Sequence, residues 1–237
     1  MAYYRLIRQA IADIGAMIFP RLCEVCGTAL TQGEDVMCTE CRYNMPRCRI
    51  HTDPFNIMHR RLAGHTLIDK AAGYFYYYSG NNYTRLILSA KYHGRPRIVR
   101  HLAREFAREL SADDFFSGID MIIPVPLHRS KLRRRGYNQS QHIAQGLSEV
   151  SGVPVADNIS ASRAHGTQTR RNAYLRWLNA KDSYSVVRPE NLNGRHVLIV
   201  DDVITTGATL LACCEAVHSA APDATVSVLT LAVTQLR

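Results

Sequence analysis

Residues 197–210 read VLIVDDVITTGATL, and their reading decides the fold. Val197–Val200 is a run of four apolar residues bounded by polar ones, which suits a strand buried on both faces, as in a parallel sheet. Asp201 and Asp202 follow at the strand's carboxyl end, and Thr205-Thr206-Gly207-Ala208-Thr209 then forms a turn. The apolar run from Leu210 to Val217 suits a helix, placed from about Gly207 to Ala220. Strand, turn and helix in that order set backbone N–H groups and hydroxyls at a helix N-terminus, where an anion is favoured. Paired carboxylates beside such a cradle suit the hydroxyls of a sugar or a magnesium ion. A sugar phosphate satisfies both halves at once. An ordinary Asp-Asp turn with a threonine N-cap is the plainer alternative, but the strand and helix context is the one a phosphate cradle requires.

Working outward, Ala71–Ser79 (AAGYFYYYS) reads as an aromatic-rich strand, Asn82–Ala90 as the start of a helix and His101–Leu110 as an amphipathic helix. Ile119–Val125 is a second buried strand, Gln139–Val150 a helix, and Val153–Val155, Ser183–Val187 and Thr225–Val233 further strands. Strands alternating with helices imply an α/β fold, a mostly parallel sheet flanked by helices. Ligands in such sheets bind at the carboxyl ends of the strands, where both Asp201–Thr209 and Pro124–His128 fall. Residues 163–182 are polar and basic and read as an excursion from the sheet. Trp177 within them is expected to pack rather than to stack on a base.

The N-terminal part has a different logic. Leu6, Ile7, Ala10, Ile11, Ile14, Met17 and Ile18 form the stripe of an amphipathic helix ended by Pro20. Its expected role is docking onto the rest of the protein; lying on a membrane surface suits it less, because its polar face carries few lysines or arginines. Cys23-x2-Cys26 and Cys38-x2-Cys41 are separated by residues 27–37. Four thiolates so spaced close a tetrahedral zinc site with no open position, a structural metal rather than a catalytic one. A short segment with few large apolar residues needs that metal to fold. A thioredoxin-like redox CxxC lacks its βαβ context here. Of the seven cysteines, Cys48 is given no role, and Cys213 and Cys214 are expected to be buried packing residues. The expected divisions are residues 1–20 as the helix, 21–47 as the zinc module and 48–237 as the main domain, entered through a polar, basic connection over 48–70.

Across 237 residues, 29 Lys and Arg face 20 Asp and Glu, a formal charge of +9. That excess suits a polyanion partner, whether nucleic acid, pyrophosphate or an acidic protein, and a solvated basic surface is the alternative. The N-terminus carries Arg5, Arg8 and Asp13 and no cleavage-site pattern, so it is not read as a secretory signal. No apolar run approaches the length of a membrane span. A cytoplasmic protein is expected.

The Asp201–Thr209 stretch resembles the phosphoribosyl pyrophosphate (PRPP) motif of type I phosphoribosyltransferases: four hydrophobics, two acidic residues and a Thr-Gly-x-Thr loop. More of the chain is similar to the ComF family of competence-associated proteins. The landmarks run in order: the two CxxC pairs; Lys91-Tyr92-His93-Gly94-Arg95; Ile123-Pro124-Val125-Pro126-Leu127-His128; Arg135-Gly136-Tyr137-Asn138-Gln139; Gln168, Arg176, Asn179 and Tyr184; and the PRPP motif. The resemblance implies that Asp201 and Asp202 face the ribose hydroxyls, and that Thr205, Thr206, Gly207, Ala208 and Thr209 wrap the 5′-phosphate. Pro126, Leu127, His128, Arg129 and Arg135 would take the pyrophosphate, with magnesium. Gln168, Arg176 and Asn179 would act from a lid over 163–182, and decoration of a helix surface is their plainer reading. Lys91, Gly94 and Arg95 add charge to the pyrophosphate pocket or contact nucleic acid. The implied function is PRPP binding by a protein that handles single-stranded DNA during natural transformation, with a competence helicase and other DNA-processing proteins as partners. The alternative is an active phosphoribosyltransferase of nucleotide metabolism on an unknown acceptor. No group that would recognise an acceptor stands out in the sequence. The tyrosines of Tyr74–Tyr78 are compatible with base stacking, and core positions suit them better.

Overall fold

The computed structural model of the protein describes residues 20–62, 64–78, 80–161 and 183–234. The proposed N-terminal helix and the lid residues Gln168, Arg176 and Asn179, with Trp177, lie outside them. The chain divides between Met45 and Pro46 into two compact units.

The first unit is organised around its cysteines. Leu22 and Ala29 pair across a tight hairpin whose turn residue Gly27 has φ 80°, a left-handed conformation that glycine adopts without strain. Cys38 caps the short helix α1, Thr39–Tyr43. Glu34 braces that second knuckle by accepting from the Thr31 and Thr39 amides and the Thr39 hydroxyl.

The second unit holds a four-stranded, wholly parallel sheet. In chain order its elements are α2 (Ile57–Leu62), β1 (Ala71–Tyr77), α3 (Thr84–Tyr92), α4 (Arg97–Ala112), β2 (Met121–Pro124), α5 (Arg129–Arg135), α6 (Gln139–Ser151), β3 (Ile159–Ala161), β4 (Tyr184–Val186), β5 (His196–Ile204), α7 (Ala208–Ala220) and β6 (Thr225–Thr234). The sheet order is β1-β6-β5-β2. Val155 forms a single parallel bridge to Ile122 on the far side of β2. The chain therefore leaves β2 in one direction and β5 in the other, so β2 and β5 flank the topological switch point, where open α/β sheets bind ligands.

Alternation along β5 splits its side chains between the two faces. Val197 and Ile199 join a cluster with Leu210, Cys213, Cys214 and Val217 of α7 and Met58 and Leu62 of α2. Leu198 and Val200 are equally buried on the opposite face, where α4 and α6 cross. Gly146 permits that crossing, since a Cβ there would overlap the Arg100 carbonyl and the Ala103 side chain. Tyr74 and Phe75 are core residues, and the Tyr74 ring stacks on Phe106 with centroids 4.7 Å apart. Only the end of that aromatic run, Tyr78, is exposed. Cys213 and Cys214 pack in the core as their sequence setting suggests.

Three expectations need correction. Residues 48–70 are more than a polar connection. Met58 and Leu62 of α2 are fully buried, and the Asn56 side chain donates to three backbone carbonyls while accepting from the Met58 and His59 amides. Val153–Val155 contributes one bridge rather than a strand. The strand at Ser183–Val187, observed as β4, stands outside the main sheet and pairs antiparallel with β3. No helix among the described residues is long and apolar enough to cross a membrane.

Candidate functional site

β5 runs four residues beyond Val200 because β6 keeps pairing with it as far as Ile204↔Val233, whereas β2 stops at Pro124↔Val200. Asp201 and Asp202 therefore lie inside a strand, just past the point where its neighbour β2 ends. Beyond them, Ile204 is anchored before the loop begins. Its carbonyl accepts from Thr234 Oγ1 at 3.1 Å and from Arg61 Nη1 at 3.3 Å.

The loop Thr205–Thr209 delivers the chain into α7. Gly207, at φ 86°, is the N-cap residue and has no side chain with which to cap the helix, while the Thr206 hydroxyl accepts from the Ala208 amide at 3.5 Å; a Cβ at Gly207 would stand 3.1 Å from Leu62 Cδ2. The first-turn amides of α7, beside the hydroxyls of Thr205, Thr206 and Thr209, offer the donors and dipole end that an anion favours. Tyr184 is hydrogen-bonded to Thr209 at its edge, and burial raises the Tyr184 phenol.

The acidic pair is not bare. Lys91 Nζ lies 2.9 Å from Asp202 Oδ1, and Asp202 is 7% exposed. Asp201 Oδ1 accepts from Ser140 Oγ at 3.0 Å and from the Asp202 amide at 2.8 Å. Desolvation, reinforced by the neighbouring Asp202 charge, pushes the Asp201 carboxyl up to about 7 in spite of Lys91. Desolvation alone would lower the Lys91 ammonium, but the two carboxylates outweigh it and hold the group above its ordinary value.

The Arg135–Ser140 segment is the brace that assembles these parts. Arg135 Nη1 donates to Gln139 Oε1 at 2.9 Å. Tyr137 Oη and Gln139 Nε2 both donate to the Ala90 carbonyl at the end of α3, which fixes the backbone beside Lys91. Asn138 accepts from the Ser140 amide as the N-cap of α6 and donates to the Val125 carbonyl at 3.0 Å, so it ties down the turn after β2. Ser140 completes the chain of contacts on Asp201. The sequence singled this segment out; its structural work is to join α3, the β2 turn and β5.

Of the residues expected on the pyrophosphate side, Pro126 and Leu127 form the partly exposed turn after β2. His128 turns back to cap α5, its Nδ1 accepting from the Ser130 amide at 3.2 Å. The helix α5 has two faces. Lys131 and Arg135, four apart, are partly buried, while Arg129, Arg133 and Arg134 are exposed. Burial, then Arg135, Arg134 and Lys91, pull the Lys131 ammonium down, with Asp201 opposing them, which puts Lys131 in the electrostatic reach of the acidic pair. Arg135 also lies over the exposed Tyr92 ring, 5.5 Å from its centroid. The described residues thus set Lys91 on the acidic pair and bring Lys131 and Arg135 within electrostatic reach of Lys91. Ser140, Tyr184 and Arg61 were not among the expected site residues. Of these, only Tyr184 carried a sequence signal, its place in the family spacing.

In the first unit the four sulfurs of Cys23, Cys26, Cys38 and Cys41 lie within 4.8 Å of one another, the only such group of potential metal ligands among the described residues. The Cys38 amide donates to Cys23 Sγ and the Cys41 amide to Cys38 Sγ. Hydrogen bonding with Thr28 lowers the Cys26 thiol to about 6. This donor set can hold a metal ion. Cys48, in the second unit, is buried, with burial pushing its thiol up to about 12.

Parallel sheet, switch point, acidic pair and threonine loop together define a phosphoribosyltransferase-type protein. The chain belongs to the phosphoribosyl transferase domain family, which matches residues 92–234. Within that class it is a ComF-family protein, as three curated relatives show. It is 30% identical over 193 residues, covering 80% of each chain, to DNA utilization protein YhgH of Shigella flexneri. It is 43% identical to Competence protein F of Haemophilus influenzae over 94 residues, 38% of this chain and 41% of that protein. With Competence protein ComFC of Bacillus subtilis it shares 25% over 137 residues, 56% of this chain and about half of that protein, 52%.

Proposed function

We propose that this protein binds PRPP at the β2/β5 switch point and handles DNA during natural transformation. The observation that carries the first half is the junction of a ribose-type acidic pair with a threonine-lined helix N-terminus, Asp201 and Asp202 with Thr205–Thr209. The 5′-phosphate sits in the loop, the sugar hydroxyls donate to the carboxylates, and the pyrophosphate lies toward the turn at Pro126–Arg129, Lys131 and Arg135. Magnesium accompanies the pyrophosphate, where it would neutralise charge on phosphate oxygens. The four-cysteine cluster holds zinc as a structural ion; a thiolate site of this kind suits a reducing compartment and supports a cytoplasmic location. Calorimetry with PRPP and magnesium tests the site: Asp202→Asn is expected to weaken binding strongly, and equal affinity of the two proteins overturns the assignment.

The DNA half rests on the names of the relatives, DNA utilization and competence, on the charge of +9 and on the exposed arginines Arg133 and Arg134 of α5. Single strands bind such surfaces through their phosphates, so affinity for an unstructured oligonucleotide is expected to fall steeply with salt. A flat salt response, or no binding at low salt, counts against it. An active transferase is the second reading, favoured by the family match itself. It predicts PRPP consumption with at least one member of a panel of bases and amines; binding without turnover across the panel favours the DNA-handling reading.

A further inference from the structure

The acidic pair carries a feature that a metal-binding reading of it does not accommodate. A divalent cation on Asp201 and Asp202 would need their oxygens as ligands at about 2.0–2.6 Å. Asp202 Oδ1 is instead occupied by the Lys91 ammonium at 2.9 Å, and Asp201 Oδ1 by Ser140 and the Asp202 amide. Lys131, close enough to feel Asp201, adds a second positive charge to the same space. A divalent ion on the two remaining oxygens would sit beside the Lys91 ammonium, which is already in contact with the pair, so the charges present do not fit a metal seated directly on it.

We propose that Lys91 is the resident cation of the Asp201–Asp202 pair, taking the place of a divalent ion there, so that a sugar phosphate binds the pair without metal. The inference rests on the sugar-phosphate reading of the site and adds to it which charge balances the carboxylates. Three observations support a fixed lysine. Its side chain is only 21% exposed. The backbone just before it is pinned through the Ala90 carbonyl by Tyr137 and Gln139. Its partner belongs to a strand held through β6 on either side of it, at Asp201↔Thr230 and Val203↔Ala232. One ammonium against two carboxylates leaves the pair with acceptor capacity, and the second oxygen of each is engaged by no described residue. Ribose hydroxyls are donors of the right kind for those oxygens. Any magnesium then travels on the pyrophosphate oxygens, and a ligand without pyrophosphate has no need of it.

Two measurements on the zinc-loaded full chain test this. The first is manganese binding followed by electron paramagnetic resonance, with no sugar present. Wild type and Asp202→Asn are expected to bind the same amount of Mn²⁺. Lys91→Met is expected to gain one Mn²⁺ site, which Lys91→Met/Asp202→Asn loses. A site present in wild type and lost in Asp202→Asn overturns the proposal, as does a Lys91→Met that gains none. Where Lys91→Met does not fold, the wild-type and Asp202→Asn pair decides alone. The second is calorimetry with ribose 5-phosphate. Wild type is expected to bind it with affinities within about twofold in the presence and absence of magnesium, and Lys91→Met at least about tenfold more weakly without magnesium than with it. Wild-type binding that requires magnesium overturns the proposal. Absence of ribose 5-phosphate binding under both conditions overturns the sugar-phosphate reading and the sugar half of this inference with it, while the manganese result still decides whether Lys91 excludes a metal.

Discussion

Asp201 stands out among the single residues because it carries charge in a place that resists charge. Its carboxyl is pushed from an ordinary value of about 4 to about 7, by desolvation first and by Asp202 second. The folded protein therefore holds a proton there that the unfolded chain has released. Between about pH 4 and about pH 7 the unfolded state binds fewer protons at this position, and stability contributed by the site falls as pH rises. Above about 7 both states are ionised and the penalty stays constant. Asp201→Asn keeps an oxygen to accept from Ser140 and from the Asp202 amide while removing the charge. Its stability advantage over wild type is expected to grow from pH 4.5 to 7 and to level off above, as read by urea unfolding across that range. A pH-independent difference would show that Asp201 ionises as an ordinary carboxyl. The identity of the acidic pair was legible in the sequence, but its electrostatics were not. Lys91 is far from it in the chain, and only the fold shows that the two meet through the bonds of Tyr137 and Gln139 to the end of α3.

At the scale of elements, long periodic segments were readable and short or polar ones were not. The helices α4, α6 and α7 and the strands β1, β5 and β6 follow from apolar pattern, with ends displaced by a few residues. Six residues, IMHRRL, are too few to display a helical stripe, so the sequence does not reveal α2, although it walls the Thr205–Thr209 loop through Leu62 and holds Ile204 through Arg61. RSKLRRR has no apolar stripe at all, and α5 is a helix because His128 caps its start and Gly136, in a left-handed conformation, ends it. β5 outruns its apolar core because β6 supplies partners beyond Val200, which is information held in another part of the chain. Element packing also makes a prediction at Gly146. A side chain there must enter the space taken by the Arg100 carbonyl and Ala103, so α4 and α6 must separate. Gly146→Val is expected to cost about 1–3 kcal/mol, the usual penalty of overpacking, visible as a lowered denaturation midpoint. A change within about 0.5 kcal/mol, typical of surface positions, would mean that the crossing has slack.

For the whole molecule, the sheet order β1-β6-β5-β2 is what turns separate motifs into one site, and no local pattern encodes it. The sequence supports only the weaker statement that two motifs end strands on the same edge. The switch point adds that those strands are neighbours and that the chain departs from them in opposite directions. The same scale separates the cysteine unit from the rest. Its described core is small, made of Val25, Val36, Met37 and Met45 with Cys23, Cys38 and Cys41, and a segment of that size is expected to need a metal to offset its conformational entropy. The unit from Pro46 onward has a full sheet with helices on both faces and needs none. Chelation is therefore expected to act on one unit alone. After treatment with a strong chelator, amides of residues 21–45 should lose their protection from hydrogen exchange, while those of β1, β5 and β6 keep theirs. Stoichiometric zinc should restore the protection, because the thiolate set is rebuilt by the same folding step that binds the ion. Protection in residues 21–45 that survives chelation would make the cluster a passive group of thiols. Loss of protection in both units together would make the metal a keystone of the whole chain, contrary to the division at Met45 and Pro46.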